Sequence, residues 1–290
     1  MDIVKNIMIA LLFAGIVGVT NAQTVSKQPY IEFTTSKKIG EKVQFFIVAD
    51  STEQKNIWID LNNNGKREKN EGVKVFTTED TSDSETRVIK SQTFRIYGKV
   101  NLLDCSDNQF TNINISHNQT LKNLYCKENQ LIDLDVSQNS NLEEIVVSSN
   151  KLTSINFSKN KQLKYLDCSE NEIKDLDVSK NIELEYLDFS STQVKNIDLS
   201  YNIKLIELNC SYSELASLDV SRNTELDELF CHKSKLTYLD VSKNNKLDIL
   251  VAQDNELSCI KISQEQLNHL EEKSWWTRYN KNIKLSVNCN

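Results

Sequence analysis

Asp60, Asn62, Asn64, Lys66, Glu68 and Glu71 fall in the segment DLNNNGKREKNE, whose spacing is that of an oxygen-ligand loop for calcium. In such a loop Asp60, Asn62 and Asn64 converge on the ion and Gly65 allows the sharp turn. Lys66 offers its carbonyl and Glu71 binds with both oxygens. The surroundings pull the other way. Two of the three early ligands are neutral amides, the segment follows the strand-like IWID rather than a helix, and Lys66, Arg67 and Lys69 offset Asp60, Glu68 and Glu71. The plainer reading of the same residues is an Asn- and Gly-rich turn between two strands. Calcium is the one cofactor the sequence raises, and a plain turn is its competitor.

Catalysis finds no comparable foothold. The histidines are His117, His232 and His269, too scattered for a metal cluster or a triad. Cys231 and His232 are neighbours, but on a strand they face opposite sides and cannot act as nucleophile and base. The expectation is a protein that is not an enzyme.

What positions these groups is a 21-residue unit, recurring eight times from Val100 without insertion or deletion; Leu163 to Glu183, LKYLDCSENEIKDLDVSKNIE, is representative. Counting its first residue as zero, positions 0, 3, 5, 10, 13 and 15 are apolar in every copy. Both halves of the unit alternate apolar with polar at period two, the pattern of half-buried strands. No unit can bury its apolar face alone, so neighbours must stack into a solenoid. Two parallel sheets, one per half-unit, are expected around the core, with little or no helix. Asn recurs at position 18, from Asn118 to Asn244, and at position 8 in five copies, where an inward amide can satisfy the backbone of a bend.

The outward positions 2, 4, 6 and 7 then tile one face. Tyr165 and Tyr186 are adjacent at position 2, Tyr125 and Phe230 stand at position 4, and Tyr212 at position 7, fringed by Asp167, Asp188, Glu207 and Glu228. Exposed tyrosines suit protein anchoring and sugar stacking alike, although strand propensity alone also favours them. A second column at position 14 includes Asp135, Asp177, Asp198, Asp219 and Asp240, each with Ser two residues on, which reads as side-chain support for a turn.

With this motif on the page, the chain resembles secreted bacterial leucine-rich-repeat proteins of the 21-residue class, loosely internalin-like. The resemblance covers residues 100–262; the flanking segments resemble those of exported repeat proteins of the Bacteroidetes type. It implies a mainly β leucine-rich-repeat solenoid that binds a protein or glycan with its concave face at a cell surface, as an adhesin does. A periplasmic or released scaffold that captures a glycan or peptide is the alternative.

The flanks fit that organisation. Residues 1–22 carry Lys5, an apolar run from Ile7 to Val19 and small residues before Gln23, and so read as a cleaved export signal. Residues 23–99 alternate strand-like runs, at Tyr30 to Thr34, Val43 to Ala49, Ile57 to Asp60, Val73 to Phe76, Arg87 to Lys90 and Thr93 to Tyr97, with turn clusters, and read as a small β-sandwich-like domain. In residues 263–290, Ser263 and Gln266 form a capping box opening a short helix, with Trp275, Trp276 and Ile283 to Val287 closing the last repeat.

Of the seven cysteines, Cys105, Cys126, Cys168, Cys210 and Cys231 share position 5 and read as buried thiols. Cys259 and Cys289 flank the terminal segment and are the expected disulfide. The net charge of −7 disfavours nucleic acid. No later run is apolar enough for the mature chain to insert in a membrane.

Overall fold

The computed structural model describes residues 28–76, 83–268 and 283–289. Residues 1–22, where an export signal is expected, and the Trp275–Trp276 pair lie outside the described residues. The strands before the repeats are β1 (Tyr30–Thr35), β2 (Lys42–Val48), β3 (Trp58–Asp60), β4 (Glu85–Val88) and β5 (Thr93–Tyr97). The first repeat supplies β6 (Leu102–Asp104) and β7 (Phe110–Asn114). One short strand per first half-unit follows: β8 (Asn123–Tyr125), β9 (Glu144–Val146), β10 (Tyr165–Asp167), β11 (Tyr186–Asp188), β12 (Glu207–Asn209) and β13 (Glu228–Phe230). Then come β14 (Leu239–Asp240), β15 (Ile249–Val251), β16 (Cys259–Lys261), helix α1 (Gln264–Asn268) and β17 (Lys284–Ser286).

The first half-units form one parallel sheet in unbroken register, β6-β8-β9-β10-β11-β12-β13-β15, each position pairing with its equivalent 21 residues on. All the leucine, isoleucine, cysteine, valine and phenylalanine side chains at positions 0, 3 and 5 are buried. One core thus runs the length of the stack, as a quasi-one-dimensional array requires.

The second half-units differ from the expected second sheet. Regular strands occur there only at the ends, as β7 and as the parallel set β14-β16-β17. In between, one backbone bond joins each second half-unit to the one before it, as from Lys151 N–H to Leu131 O and from Glu172 N–H to Leu152 O, with one added bridge at Asp219–Asp240. Side chains take some of the other donors. Asn150 and Asn171 accept the N–H groups of Leu131 and Leu152, and the position-14 residues accept the N–H of the serine two residues on. Local side-chain bonds have replaced a ladder.

The segment before the repeats is continuous with them. Strand β2 pairs with β6 and carries the long sheet on to β4, while β1 pairs with β7 and, on its other side, with β5, which pairs with β3. The two sheets meet over Phe33, Phe45, Phe94 and Phe110, with ring centroids 4.9 to 6.1 Å apart. Both sheets are extensions of the solenoid's own walls, through β6 and β7. The run Val73 to Phe76 is not a strand: Lys74 and Val75 donate their N–H groups to the buried Glu85 carboxylate.

At the other end the capping box forms as its spacing predicts. Ser263 Oγ accepts the Gln266 N–H and Gln266 Oε1 accepts the Ser263 N–H, at 3.0 and 2.7 Å. Gln266 also donates to Val241 O and Asn244 O, continuing the position-18 column of asparagines by one step. Cys259 and Cys289 are disulfide-bonded and the other five cysteines are free and buried. Burial pushes the thiols of Cys126 and Cys231 up to about 12, so they pack as small apolar groups. Among the described residues no helix is long and apolar enough to cross a membrane.

Candidate binding face

The alternation that buries positions 3 and 5 turns positions 2 and 4 outward. Each strand from β8 to β10 shows its middle residue buried and the two flanking ones half-buried, and β12 and β13 do the same. Tyr125, Tyr165, Asp167, Tyr186, Asp188, Glu207, Glu228 and Phe230 all lie on this open face, in the register the repeat dictates.

Its centre is the tyrosine pair. Tyr165 and Tyr186 are register partners on β10 and β11, and their rings stack at 4.0 Å with 2° between planes. Burial raises the pKa of both hydroxyls, helped by nearby carboxylates, so they are neutral donors at physiological pH. Below them in the position-4 row, Asp167 accepts hydrogen bonds from the hydroxyls of Ser148 and Ser169 and from the Ser169 N–H. Asp188 accepts from the Ser190 N–H and from Asn209 Nδ2, both at 2.8 Å. Asp188 is buried, and its pKa is raised by desolvation and by the neighbouring Asp167. Glu207 is raised too, by burial and then by Glu228 and Asp188. Tyr125 stands apart, its hydroxyl donating to Glu144 on the next strand.

Tyr212 does not join this face. Position 7 is a turn in which every copy adopts a left-handed backbone, φ between +52° and +57°, without a glycine in any of the eight. That geometry sends Tyr212 to the rim, beside His232 at 5.1 Å between centroids and under the Lys233 ammonium, which also bonds its hydroxyl at 3.0 Å. His232 Nδ1 lies 2.8 Å from Ser211 Oγ, a contact between equivalent positions of adjacent repeats that sequence neighbours do not reveal. Cys231 points into the core, so it makes no pair with His232.

The Asp60–Glu71 segment folds as a self-bonded loop. Asp60 accepts the N–H groups of Asn64 and Gly65, Asn62 that of Asn64, and Asn64 that of Lys66. Glu71 accepts from the Leu61 and Glu68 N–H groups, and Glu68 accepts from both Asn62 and Asn64 side-chain amides. Asp60 and Glu71 are fully enclosed. Among the described residues no group of three or more His, Cys, Asp or Glu is arranged to hold a metal. The position-14 column is a set of turns as well: Asp135, Asp177 and Asp198 are lowered below the usual carboxylate range by bonds from Ser137, Ser179 and Ser200.

Solved structures with a similar fold are leucine-rich-repeat proteins. A leucine-rich-repeat protein of Leptospira interrogans superposes with a TM-score of 0.55 at 22% identity, covering 63% of this chain and 49% of its own. Internalin C2 of Listeria monocytogenes gives 0.52 at 21%, covering 64% and 80%. The functional domain of InlJ from Listeria monocytogenes, which includes a cysteine ladder, gives 0.47 at 27%, covering 58% and 46%. The match therefore spans about half the length of two of these three. No protein-family model and no curated protein matches the chain significantly. The fold is that of a leucine-rich-repeat solenoid.

Proposed function

We propose that this chain is a non-enzymatic, exported binding module that holds a protein or glycan on the open face of its long sheet, acting as a surface adhesin. The observation that carries this is the Tyr165–Tyr186 stack, half-exposed at the middle of a rigid parallel sheet and surrounded by carboxylates. The fold needs neither ring, because the core beneath is completed by Leu166 and Leu187. Paired aromatics of low side-chain entropy are the usual anchors of recognition surfaces. The apolar run from Ile7 to Val19 after Lys5, followed by small residues, supports export, and a periplasmic or released scaffold that captures a glycan or peptide is the second reading.

Peptide and glycan arrays probed with the wild-type chain and with Tyr165→Ala/Tyr186→Ala test the proposal. Signals that vanish in the variant while its circular dichroism spectrum stays unchanged are expected. Identical signals from both proteins eliminate this face. Protease treatment of intact producing cells separates the two locations: loss of the protein with periplasmic markers intact means surface display, and protection means the scaffold.

A further inference from the structure

We propose that the open face receives a basic, extended segment of a partner protein; this rests on the binding-face reading above and adds the charge and form of the ligand. The outward rows from Leu102 to Val251 contain six carboxylates, Asp104, Glu144, Asp167, Asp188, Glu207 and Glu228, and no Lys, Arg or His. The rim carries cations only outside the centre, at Lys127 and at His232 and Lys233. Across the four central repeats the adjoining turn positions, from Ser148–Ser149 to Ser211–Tyr212, hold only serine, glutamate and tyrosine.

Off the open face, several carboxylates are paired with lysines of the neighbouring repeat. Glu143 lies between Lys122 and Lys164, Glu183 pairs with Lys204, and Glu225 with Lys246. Among the described residues none of the ion pairs involves any of the six carboxylates on the open face. Glu207 and Glu228 are register partners on adjacent strands, as are Asp167 and Asp188. Adjacent strands lie about 4.8 Å apart, so like charges stand close with no cation between them. A ligand bearing positive charge lowers that energy, and a neutral or acidic one does not.

The tyrosine pair limits the form of the ligand. The two rings cover each other's inner faces, and their outer faces look along the sheet toward the register partners Glu144 and Glu207. A sugar stacks on a free ring face. This ridge presents ring edges and hydroxyls, with a carboxylate on each side. Glu144 and Glu207 are three strands apart, about 14 Å, which an extended chain rising roughly 3.4 Å per residue spans in about four residues. The fitting segment has basic side chains four residues apart, with its middle residues crossing the tyrosine ridge.

Fluorescence anisotropy with labelled probes tests this on the full chain after removal of its signal. The probes are a Ser/Thr decapeptide with lysines four residues apart, the same peptide with glutamates in their place, and cellohexaose. Each is titrated against wild type, Tyr165→Ala/Tyr186→Ala and Glu144→Gln/Glu207→Gln/Glu228→Gln. The lysine peptide is expected to bind at low salt, to weaken about tenfold in the glutamine variant, and to weaken as salt shortens the screening length. Failure of the lysine peptide to bind at low salt, or binding unchanged in the glutamine variant, overturns the proposal. Should cellohexaose or the glutamate peptide bind instead and the tyrosine variant abolish it, the basic-segment proposal falls while the binding face stands. If any probe binds and neither variant weakens it, both fall.

Discussion

Replacing Thr192 by Asn should stabilise the solenoid. Position 8 is a column of inward side chains that is asparagine in Asn129, Asn150 and Asn171 and again in Asn255, but hydroxyl-bearing at Thr192, Ser213 and Ser234. Asn171 donates to Val147 O, Cys168 O and Ser169 O and accepts the Leu152 N–H. Thr192 makes one bond, to Phe189 O. The surrounding frame is the same: Ser191 has the left-handed φ of its equivalents, and the Gln193 N–H bonds Ile173 O at 2.8 Å as the Glu172 N–H bonds Leu152 O at 2.9 Å. An amide has two hydrogens and one acceptor, so the substitution adds about two bonds at nearly constant volume. At about 0.5 to 1.5 kcal/mol net per buried bond, the gain is about 1 to 3 kcal/mol. Urea denaturation followed by far-ultraviolet circular dichroism reads it as a higher midpoint at unchanged slope. Asn171→Thr should lose a similar amount. A Thr192→Asn midpoint at or below wild type would falsify the ladder reasoning, since space and backbone are already in place.

Two further outcomes concern carboxylates, Glu207 on the open face and the acids of the Asp60–Glu71 loop. Burial, Glu228 and Asp188 raise the folded-state pKa of Glu207 above its unfolded value, so the folded chain takes up this proton first as pH falls. The penalty is present above the folded pKa and is relieved below the unfolded value. Glu207→Gln should therefore be more stable than wild type at neutral pH by a few tenths of a kcal/mol, a figure reduced for solvent screening. The difference should close on acidification toward pH 4, as midpoints across a pH series would show, and a pH-independent difference contradicts the assignment. For the Asp60–Glu71 loop, calorimetric titration with calcium should give no saturable heat, because three cationic side chains offset its acids and its own amides already engage the buried carboxylates. A saturable exotherm makes the loop a calcium site.

The repeat was legible because six inward positions per unit admit only apolar residues, and a solenoid has no other way to bury them. The left-handed turn at position 7 was not. Its occupants include Asp107, Ser149, Tyr212 and Lys233, with no glycine to announce a positive φ. A cost of about 1 to 2 kcal/mol per non-glycine residue in that region is borne because the strand before it and the position-8 column after it fix the chain on both sides. The second sheet was over-read for a related reason. Period-two patterning reports which side chains face inward, not where the N–H groups go, and here the position-14 carboxylates and the position-8 asparagines take some of them. The outward face was legible as a set of residues but not as an arrangement: position numbers placed Tyr165 beside Tyr186, yet neither the face-to-face stack nor the departure of Tyr212 to the rim has a sequence signal.

The acidic composition alone says little about a ligand, since a net charge of −7 spread over the surface mainly affects solubility and steering. Its distribution says more. The inward positions carry the folding energy, and the side and turn positions carry compensating ion pairs, as at Lys164–Glu143 and Lys246–Glu225. The rows at positions 2 and 4 have neither duty. Stability would favour alternating signs or neutral β-formers between strands in register, and these rows instead align Asp167 with Asp188 and Glu207 with Glu228. Desolvation and mutual repulsion leave Asp188 and Glu207 harder to ionise than free carboxylates. An arrangement that works against its own fold, on the one face the core does not need, is accounted for by a partner that brings the missing positive charge.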